Sequence, residues 1–307
     1  MTLFIILFMF SFVGTWIVRR YAYHMALVDY PTHRSSHDIP TPRGGGIAIV
    51  ISFYIGLWWT HSLLPSPLVA ALWWGVPVAI ISWLDDRYTL SAKTRLIVQA
   101  ISVVGALWAL QLNLSLVIQF ILLISMIWFI NLYNFLDGID GYAAMEAIIV
   151  AIALILFFSP LLGMILGVSV LGFLFFNWHK ASIFMGDVGS ATLGFWIAVI
   201  VVYSLPQGHF VMWLIILSLF WVDATVTLLR RLWNREAIFQ AHKKHAYQRL
   251  VQSGWRHDQV VIAAFVINSI FLILLYYFNE MENYILSINL LSMIMILKWV
   301  EEKKGFI

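Results

Sequence analysis

The chain has 307 residues, of which 62% are hydrophobic and only 11% are charged, and its net charge is +3. Soluble domains carry about 25% charged residues, so this composition excludes an ordinary soluble globular protein. The chain contains no cysteine, which excludes a disulfide framework and any metal site built on thiolates. We predict an all-α, polytopic integral membrane helical bundle that forms a single transmembrane domain over residues 1–307.

Breaks in hydropathy predict eleven transmembrane helices. A helix needs about 20 residues to cross the hydrocarbon core of a bilayer. The first apolar segment has no basic start and no cleavage site, so it is interpreted as a span and not as a signal peptide. The predicted spans are 3–18, 46–60, 67–84, 96–110, 114–130, 142–158, 161–176, 191–204, 210–229, 260–278 and 284–299.

The basic residues lie on one side of this predicted topology. If the N-terminus is periplasmic and Lys298 is assigned to the C-terminal tail, all 18 Lys and Arg residues fall in inward-facing segments or in that tail. Lys and Arg are enriched in the cytoplasmic loops of membrane proteins. The distribution therefore predicts a periplasmic N-terminus and places the longer, polar loops in the cytoplasm.

The first inward loop contains "RSSHDIPTPRGGG". Pro40 and Pro42 disfavour helix, and the three glycines that follow allow close approach of the backbone to a ligand or another helix. One interpretation is a stiff loop that ends at a helix start. The other is a loop that contacts phosphate or lipid through Arg34, His37 and Arg43.

The second inward loop contains "DDRYTLSAKTR". Asp85 and Asp86 are adjacent where a span meets water, and Lys93 and Arg95 follow them. Two neighbouring carboxylates repel each other unless a cation or a proton-transfer role compensates. A solvated helix end is the alternative, but such an end would more naturally hold basic residues alone.

The third inward segment, "NLYNFLDGIDG", places four polar side chains three residues apart in an apolar region. Asn131 and Asn134 are predicted to share a face of the last helical turn. Asp137 and Asp140 are predicted to lie on the loop that Gly138 opens. Turn formation by Asp-Gly pairs accounts for one or two of these residues but not for all of them.

Asp187 lies in the fourth inward segment, "FMGDVGSATLG", between two glycines. It could be only a helix N-cap. However, acids stand at three separate helix ends on the same side, and an asparagine lies beside one of them. Carboxylate and amide oxygens suit Mg²⁺, which commonly takes one or two protein ligands together with substrate phosphates.

The longest inward loop contains "HKKHAYQRL" and is rich in basic residues. His242 and His245 have a spacing found in zinc sites, but no third ligand at metal spacing is apparent. A basic segment that binds anionic lipid is the plainer alternative. The more specific hypothesis is that the loop, including Lys244, binds a diphosphate. Acids for a cation, bases for phosphates and a membrane body together indicate phosphoryl transfer at a membrane surface.

These four motifs, "DDRYTLSAKTR", "NLYNFLDGIDG", "MGDVGSATLG" and "HKKHAYQRL", resemble those of the polyprenyl-phosphate N-acetylhexosamine-1-phosphate transferases, the family of the enzyme that makes lipid I. The resemblance covers about residues 1–300. It implies transfer from a UDP-N-acetylhexosamine to undecaprenyl phosphate, which gives the lipid-linked diphosphate sugar and UMP. It also implies a Mg²⁺ cofactor (or Mn²⁺) and a bacterial inner-membrane enzyme whose site faces the cytoplasm.

The resemblance also implies residue roles. The catalytic residues would be Asp85 and Asp86, and the metal ligands Asp187 and Asn134. The residues that would contact substrate are Lys93 or Arg95 at the diphosphate, Asp137 and Asp140 on the nucleotide side, and His242 and His245 on the sugar side. The loop sequences themselves add Arg43, Asn131 and Lys244 as candidate substrate contacts.

The loop sequences also lead to an expected donor sugar and expected partners. The peptidoglycan branch has consecutive histidines where this chain has His-Lys-Lys-His, and the first loop is similar to the branch that initiates O-antigen or capsule glycans. UDP-GlcNAc, or a 6-deoxy relative such as UDP-FucNAc or UDP-QuiNAc, is therefore favoured over a muramyl-pentapeptide donor. The expected partners are the UDP-sugar, undecaprenyl phosphate and membrane lipids, with no nucleic acid. The oligomeric state is left open, a homodimer included.

Two other classes are disfavoured. A CDP-alcohol phosphotransferase needs an Ala-Arg pair after its Asp-Gly motif, and this chain has Gly141 and Tyr142 there. A secondary transporter would carry ionisable groups near the bilayer midplane. The candidates for such groups, Glu146 and Asp223, both lie near predicted cytoplasmic ends.

Overall fold

The computed structural model describes residues 1–31, 39–237 and 242–306, and these are almost entirely helical. The α-helices in the described part are, in order, α1 (Thr2–Tyr21), α2 (Gly46–Trp59), α3 (Ser66–Trp73), α4 (Gly75–Tyr88), α5 (Ala92–Leu110), α6 (Leu116–Phe135), α7 (Tyr142–Phe157), α8 (Pro160–Asn177), α9 (Asp187–Ser204), α10 (Phe210–Ile216), α11 (Ser218–Trp233), α12 (Ala246–Gln252), α13 (His257–Tyr277) and α14 (Glu282–Lys303).

The structure confirms the predicted fold class. Within the described ranges, 8 helices or continuous helix pairs are long and apolar enough to cross a membrane, and α10 with α11 would form a further, bent span. The two remaining predicted segments coincide with the shorter apolar helices α2 and α7. Each of the eleven predicted spans therefore corresponds to an apolar helix or helix pair.

Two predicted spans are not single straight helices. The third consists of α3 and α4, and the ninth is bent by 73° between α10 and α11. At the bend, the indole N–H of Trp221 donates to the carbonyl of Leu214 at 2.9 Å. In an unbroken helix that carbonyl would accept the N–H four residues later. The Trp221 side chain thus satisfies a backbone group that the bend leaves free.

A close backbone contact joins the first loop to the start of α9. A Cβ atom on Gly46 would lie 2.3 Å from Cα of Gly189, so only glycine allows this approach. Beside it, the backbone N–H groups of Gly45 and Gly46 donate to the carbonyls of Phe184 and Met185 at 3.0 and 2.9 Å. The glycine run therefore packs helix on helix and brings the first loop to the segment that carries Asp187.

A short antiparallel ladder closes the first loop. Strand β1 (Val28–Asp29) pairs with β2 (Thr41–Pro42), with Asp29 opposite Thr41. Arg43 follows β2 directly, and its backbone N–H donates to Leu27. Helix α9, which is buried along almost its whole length, packs against α4 and α6 in the middle of the bundle. The polar ends of these helices therefore meet at one end of the molecule.

Candidate active site

A polar cavity of about 280 Å³ opens at the end of the bundle where α4 and α6 finish and α9 begins. It contains most of the acidic residues that the sequence singled out, although they come from loops far apart in the chain. The predicted site residues that line it are Arg43, Asp86, Asn134, Asp137, Asp140 and Asp187. The structure therefore brings the first four inward loops together around one cavity.

Asp86 caps the helix that carries Asp187. The Oδ1 and Oδ2 atoms of Asp86 accept the backbone N–H groups of Asp187 and Val188, each at 3.0 Å. These are among the N–H groups that a helix cannot satisfy internally. The side chain of Asp86 is buried, and the guanidinium of Arg43 donates to its backbone carbonyl. Asp86 thus positions the N-terminus of α9.

Asp85 points to a different partner from Asp86. Its Oδ2 lies 2.6 Å from Nη1 of Arg95, and the same Nη1 lies 2.8 Å from Oδ2 of Asp187. The other Asp85 oxygen accepts the backbone N–H of Leu90. Asp85 is absent from the lining of the polar cavity in the described residues. The two neighbouring acids therefore have separate structural roles, and the catalytic assignment of each stays a prediction.

The oxygen donors around Asp187 fit a hard divalent cation. Asp187 and Asn134 both line the cavity, and the amide of Asn134 is close enough to hydrogen-bond the Asp187 carboxylate. The side chain of Asp187 is 30% exposed, so its carboxylate is accessible from the cavity. Carboxylate and amide oxygens with room for phosphate oxygens match the preference of Mg²⁺. The predicted ligands Asp187 and Asn134 could hold the ion together.

Asp137 lines the cavity together with three other acids, Asp86, Asp140 and Asp187. Desolvation raises the pKa of its carboxyl well above the usual value, and the carboxylates of Asp187, Asp86 and Asp140 raise it further. Like charges close together disfavour the ionised form. In the absence of a cation, Asp137 therefore favours the protonated form more strongly than an ordinary aspartate does.

Asp140 is held by two histidines that come from distant segments. Its Oδ2 lies 2.9 Å from Nδ1 of His179 and 3.0 Å from Nδ1 of His257, and it also accepts the N–H of Ala181 at 3.2 Å. Burial opposes ionisation of Asp140, but hydrogen bonds from His257 and His179 outweigh it and hold the pKa below its usual value. Asp140 is therefore a well-anchored carboxylate.

The same three side chains could also hold a transition metal. The ligand atoms of Asp140, His179 and His257 all lie within 4.8 Å of one another. Imidazole nitrogens suit zinc and related metals better than Mg²⁺. The N···O separations are, however, those of ordinary N–H···O hydrogen bonds. We therefore describe the trio as a hydrogen-bonded cluster.

An apolar cavity of about 430 Å³ adjoins the acid cluster through Arg95. It lies between α6 and α11, and Arg95 is the one charged side chain among the described residues that line it. A second apolar cavity of about 330 Å³ shares Trp128 and continues along α6 toward the bend between α10 and α11. Together they form an apolar surface that starts at Arg95 and runs along α6.

Several predicted site residues lie outside the polar cavity. Asn131 donates to Gln99 at 2.8 Å and lines the apolar cavity, so it does not share a face with Asn134 as predicted. Side chains three residues apart on an α-helix point about 60° apart around the helix axis. This angle is enough for Asn131 and Asn134 to line different cavities. Lys93 is exposed on the first turn of α5. Arg34 and His37 lie outside the described residues.

The histidine loop differs from its prediction. His245 is buried as the N-cap residue of α12, and His242 precedes it, so the two do not form a helical pair facing the cavity. Their rings are 4.8 Å apart, and Lys244 pairs with Glu236 at 2.8 Å. Burial, and after it the neighbouring groups His245 and Arg231, lowers the pKa of His242 to about 3. Sugar contact by this loop stays a prediction.

The structure adds cavity residues that the sequence did not identify. They are Asp29, Asn177, Phe184, Gln248 and His257. Gln248 lies in the HKKHAYQRL motif itself, and His257 is the first residue of α13. The N–H of Gly141 donates to the side chain of Asn177 at 3.0 Å, and the Asn177 amide donates to Ile183. Asn177 therefore ties together two of the loops that line the cavity.

The chain is similar in sequence to proteins of a known family. Residues 68–205 match the family model described as "Glycosyl transferase family 4". A Bacillus subtilis protein named "Probable undecaprenyl-phosphate N-acetylglucosaminyl 1-phosphate transferase" is 31% identical, and the match covers 87% of this chain and 82% of that protein.

Two further relatives have names that differ in the sugar phosphate they transfer. An "Undecaprenyl-phosphate alpha-N-acetylglucosaminyl 1-phosphate transferase" of Yersinia pestis is 24% identical over 84% of this chain and 78% of its own length. A "Phospho-N-acetylmuramoyl-pentapeptide-transferase" of Caldicellulosiruptor bescii is 28% identical over 79% of this chain and 84% of its own length.

Proposed function

The chain belongs to the polyprenyl-phosphate N-acetylhexosamine-1-phosphate transferases of glycosyl transferase family 4, and from this we propose that it transfers N-acetylhexosamine-1-phosphate from a UDP-sugar to undecaprenyl phosphate. The products are UMP and the lipid-linked diphosphate sugar. The chain is a multi-pass membrane phosphotransferase that acts on a polyprenyl phosphate. The UDP donor, its sugar, the metal and the cytoplasmic orientation of the site belong to the proposal.

One observation carries the proposal: a polar, acid-rich cavity and an apolar cavity meet at Arg95. The polar cavity has the carboxylates and amides that suit a metal-bound diphosphate and a nucleoside. The apolar cavity between α6 and α11 includes exposed hydrophobic side chains such as Ile124, Phe135 and Leu229, and it suits a hydrocarbon chain. A reaction between a water-soluble diphosphate and a lipid phosphate needs both surfaces with one charged junction between them.

We propose that the diphosphate lies beside Asp187 and Asn134, and the nucleoside beside Asp140, Asn177 and Phe184, all of which line the polar cavity. A divalent cation held by Asp187 and Asn134 would neutralise the diphosphate and stabilise the departing UMP. The anchored carboxylate of Asp140 and the amide of Asn177 would hold the nucleoside by hydrogen bonds.

The reaction requires few further groups. An oxygen of the lipid phosphate attacks the phosphorus that bears the sugar, and the bond from that phosphorus to the UMP oxygen breaks. Such transfers depend mainly on positioning and charge stabilisation. Asp86 fixes the start of α9 and therefore the Asp187 carboxylate, while Asp85 holds Arg95 at the junction. These contacts would hold the diphosphate of the sugar donor and the phosphate of the lipid acceptor close together.

The donor is proposed to be UDP-GlcNAc or a 6-deoxy relative, at the start of an O-antigen or another surface polysaccharide. The names of the Bacillus subtilis and Yersinia pestis relatives support GlcNAc-1-phosphate transfer. The His-Lys-Lys-His sequence supports a donor other than the muramyl-pentapeptide. The loop that contains His242, Lys244 and His245 stays the proposed sugar-side element, although these residues lie outside the described cavity lining.

A donor panel tests the proposal. Purified protein is given undecaprenyl phosphate, Mg²⁺ and, in turn, UDP-GlcNAc, UDP-QuiNAc, UDP-FucNAc, UDP-glucose or UDP-MurNAc-pentapeptide, and UMP release is measured. We expect turnover with a HexNAc donor and little with UDP-glucose, because a site built for an N-acetyl group rejects its absence. Turnover with UDP-MurNAc-pentapeptide alone would instead assign the chain to peptidoglycan synthesis. Absence of UMP with every donor would contradict the proposed function.

A further inference from the structure

We propose that Arg95 is an exchangeable counter-ion: it neutralises the metal-binding carboxylate when no cation is bound, and it turns toward the apolar cavity to hold the acceptor phosphate once a cation replaces it. This inference rests on the proposed function for the identity of the acceptor. It assigns to one side chain the coupling between cation binding and lipid-phosphate binding.

The first step is the position of the guanidinium. A single nitrogen, Nη1 of Arg95, lies 2.6 Å from Asp85 and 2.8 Å from Asp187. Asp187 is also the acid that we propose as a metal ligand, together with Asn134. Arg95 therefore provides positive charge to the carboxylate that a divalent cation would neutralise. Without it, Asp187 would face Asp85 and the other cavity acids with no basic partner on its carboxylate among the described residues.

The second step is competition for one carboxylate. Arg95 is paired with Oδ2 of Asp187, and the Asp187 carboxylate is also the group that would hold the metal. A guanidinium and a divalent cation repel each other strongly at contact distance where water is partly excluded. Binding of the cation therefore breaks the Arg95–Asp187 pair. Asp85 stays held by the N–H of Leu90 in either state.

The third step is the place to which Arg95 turns. Its side chain is 31% exposed, so it is not locked by packing. It begins in the first turn of α5 and already forms part of the wall of the apolar cavity, which has no other charged lining residue in the part of the chain described. An acceptor whose chain lies in that cavity carries its phosphate at this end. A guanidinium is well suited to bind it with two parallel hydrogen bonds.

The consequence is reciprocal coupling. If cation binding frees Arg95 for the phosphate, then the phosphate must also tighten cation binding, because linkage is mutual. The enzyme would bind its lipid acceptor well only when the metal site is loaded. Arg95 is then a positioning residue for both substrates and not only a diphosphate contact.

Mn²⁺ binding to the purified, detergent-solubilised full chain tests the first half without any nucleotide. Arg95→Gln should bind Mn²⁺ about two- to fivefold more tightly than the native protein, because the partly exposed Arg95–Asp187 ion pair no longer competes with the cation. Arg95→Lys, which keeps the charge, should lie between the two. Arg87→Gln is the matched control, since it removes the same charge from the neighbouring helix end and should leave Mn²⁺ affinity unchanged. Equal or weaker Mn²⁺ binding by Arg95→Gln would overturn the proposal.

Binding of radiolabelled undecaprenyl phosphate tests the second half. In the native protein, saturating Mn²⁺ should tighten binding about fivefold or more, in the range typical of coupled sites. Arg95→Gln should abolish this dependence, and undecaprenol, which lacks the phosphate, should show none. Metal-independent binding to the native protein would contradict the coupling. Because neither measurement uses a nucleotide sugar, a failed donor panel would leave the exchange of Arg95 testable by itself.

Discussion

The carboxylate of Asp86 receives the backbone N–H of Asp187 at 3.0 Å, and its second oxygen receives the next N–H of the same helix. A residue at the end of α4 therefore completes the start of α9. The adjacent acids Asp85 and Asp86 therefore make different contacts: Asp86 holds the helix that carries the proposed metal ligand, and Asp85 holds Arg95.

Asp86→Asn should therefore weaken both the fold and the metal site. An amide offers only one acceptor oxygen, so one N–H of α9 loses its partner at a cost of about 1–3 kcal/mol. We expect a lower thermal midpoint in detergent, weaker Mn²⁺ binding and slower UMP release. Glu302→Gln, which changes an exposed carboxylate in α14, should alter none of these. Normal Mn²⁺ affinity in Asp86→Asn would show that the cap does not position Asp187.

Gly186 should tolerate no side chain, for a reason beyond its backbone angle. Its φ is +73°, and a Cβ atom would lie 2.7 Å from Oδ2 of Asp86 and 2.9 Å from the backbone nitrogen of Gly44. Gly208 has φ +84° but nothing within 4 Å of the same position. Gly208 has ψ 4° and is left-handed, so alanine there costs about 1–2 kcal/mol. Gly186 has ψ 168°, a region that essentially only glycine adopts, so alanine there costs about 1–3 kcal/mol. Only Gly186→Ala should also abolish activity and Mn²⁺ binding.

The two variants compare a glycine with positive φ that is packed against Asp86 with a glycine with positive φ that has open space around it. Thermal unfolding and UMP release are measured for both variants under the same conditions. If Gly208→Ala loses as much activity as Gly186→Ala, the close packing of Gly186 against Asp86 is not what the site requires.

Asp137 and Asp140 should respond in opposite directions to removal of their charge. The pKa of Asp137 is raised by desolvation and neighbouring acids, so its contribution to stability is present at low pH and is lost as pH rises through the raised value. The pKa of Asp140 is lowered despite burial, because His257 and His179 donate to it, so its contribution is present at neutral pH and is lost on acidification.

At pH 7 and without divalent cations, Asp137→Asn should raise the thermal midpoint and Asp140→Asn should lower it. A change of 1 kcal/mol corresponds to about 2–4 °C for a chain of this size class. Lowering the pH should shrink both differences. A fall in midpoint for both variants at pH 7 would contradict the charge assignment of Asp137.

The orientation of the chain is tested by cysteine labelling, which has no background because the chain contains no cysteine. Ser62 is exposed in the turn between α2 and α3, and Ser91 is exposed at the opposite end of the bundle. Ser62→Cys should react with a membrane-impermeant maleimide added to intact cells, and Ser91→Cys only after lysis. Ser204 is buried against Trp213 and is not a usable position. The reverse labelling pattern would place the site outside the cytoplasm.

The helices could be predicted because their signal is local. Each apolar segment had to become a helix, since a membrane leaves no other partner for its backbone groups. The predicted topology places five polar residues in loops on one side of the membrane, and the structure brings them into one cavity. They are Asp86, Asn134, Asp137, Asp140 and Asp187. Hydropathy and charge distribution carry that information without knowledge of which helices are neighbours.

The contacts within the site could not be predicted because they depend on which helices pack together. Asn131 and Asn134 are three residues apart, yet they face different cavities, because helix α6 separates the polar cavity from the apolar one. His179 and His257 meet Asp140 from the end of α8 and the start of α13. No spacing in the sequence indicates this meeting. His242 and His245, by contrast, have a recognisable spacing in the sequence but lie outside the lining of the polar cavity.

Transfer of the phosphate together with the sugar is the central claim, and the fate of one phosphorus atom tests it most directly. UDP-GlcNAc labelled with ³²P at the phosphate that bears the sugar is incubated with purified protein, Mg²⁺ and undecaprenyl phosphate, and the lipid phase is extracted. Asp187→Asn serves as the blank and should lose at least about 100-fold in rate, the scale expected for losing a principal electrostatic group. The account predicts that the label enters the lipid phase and that unlabelled UMP appears in equal amount. Label retained in the aqueous phase as UDP while sugar enters the lipid, or full transfer by Asp187→Asn, would contradict it.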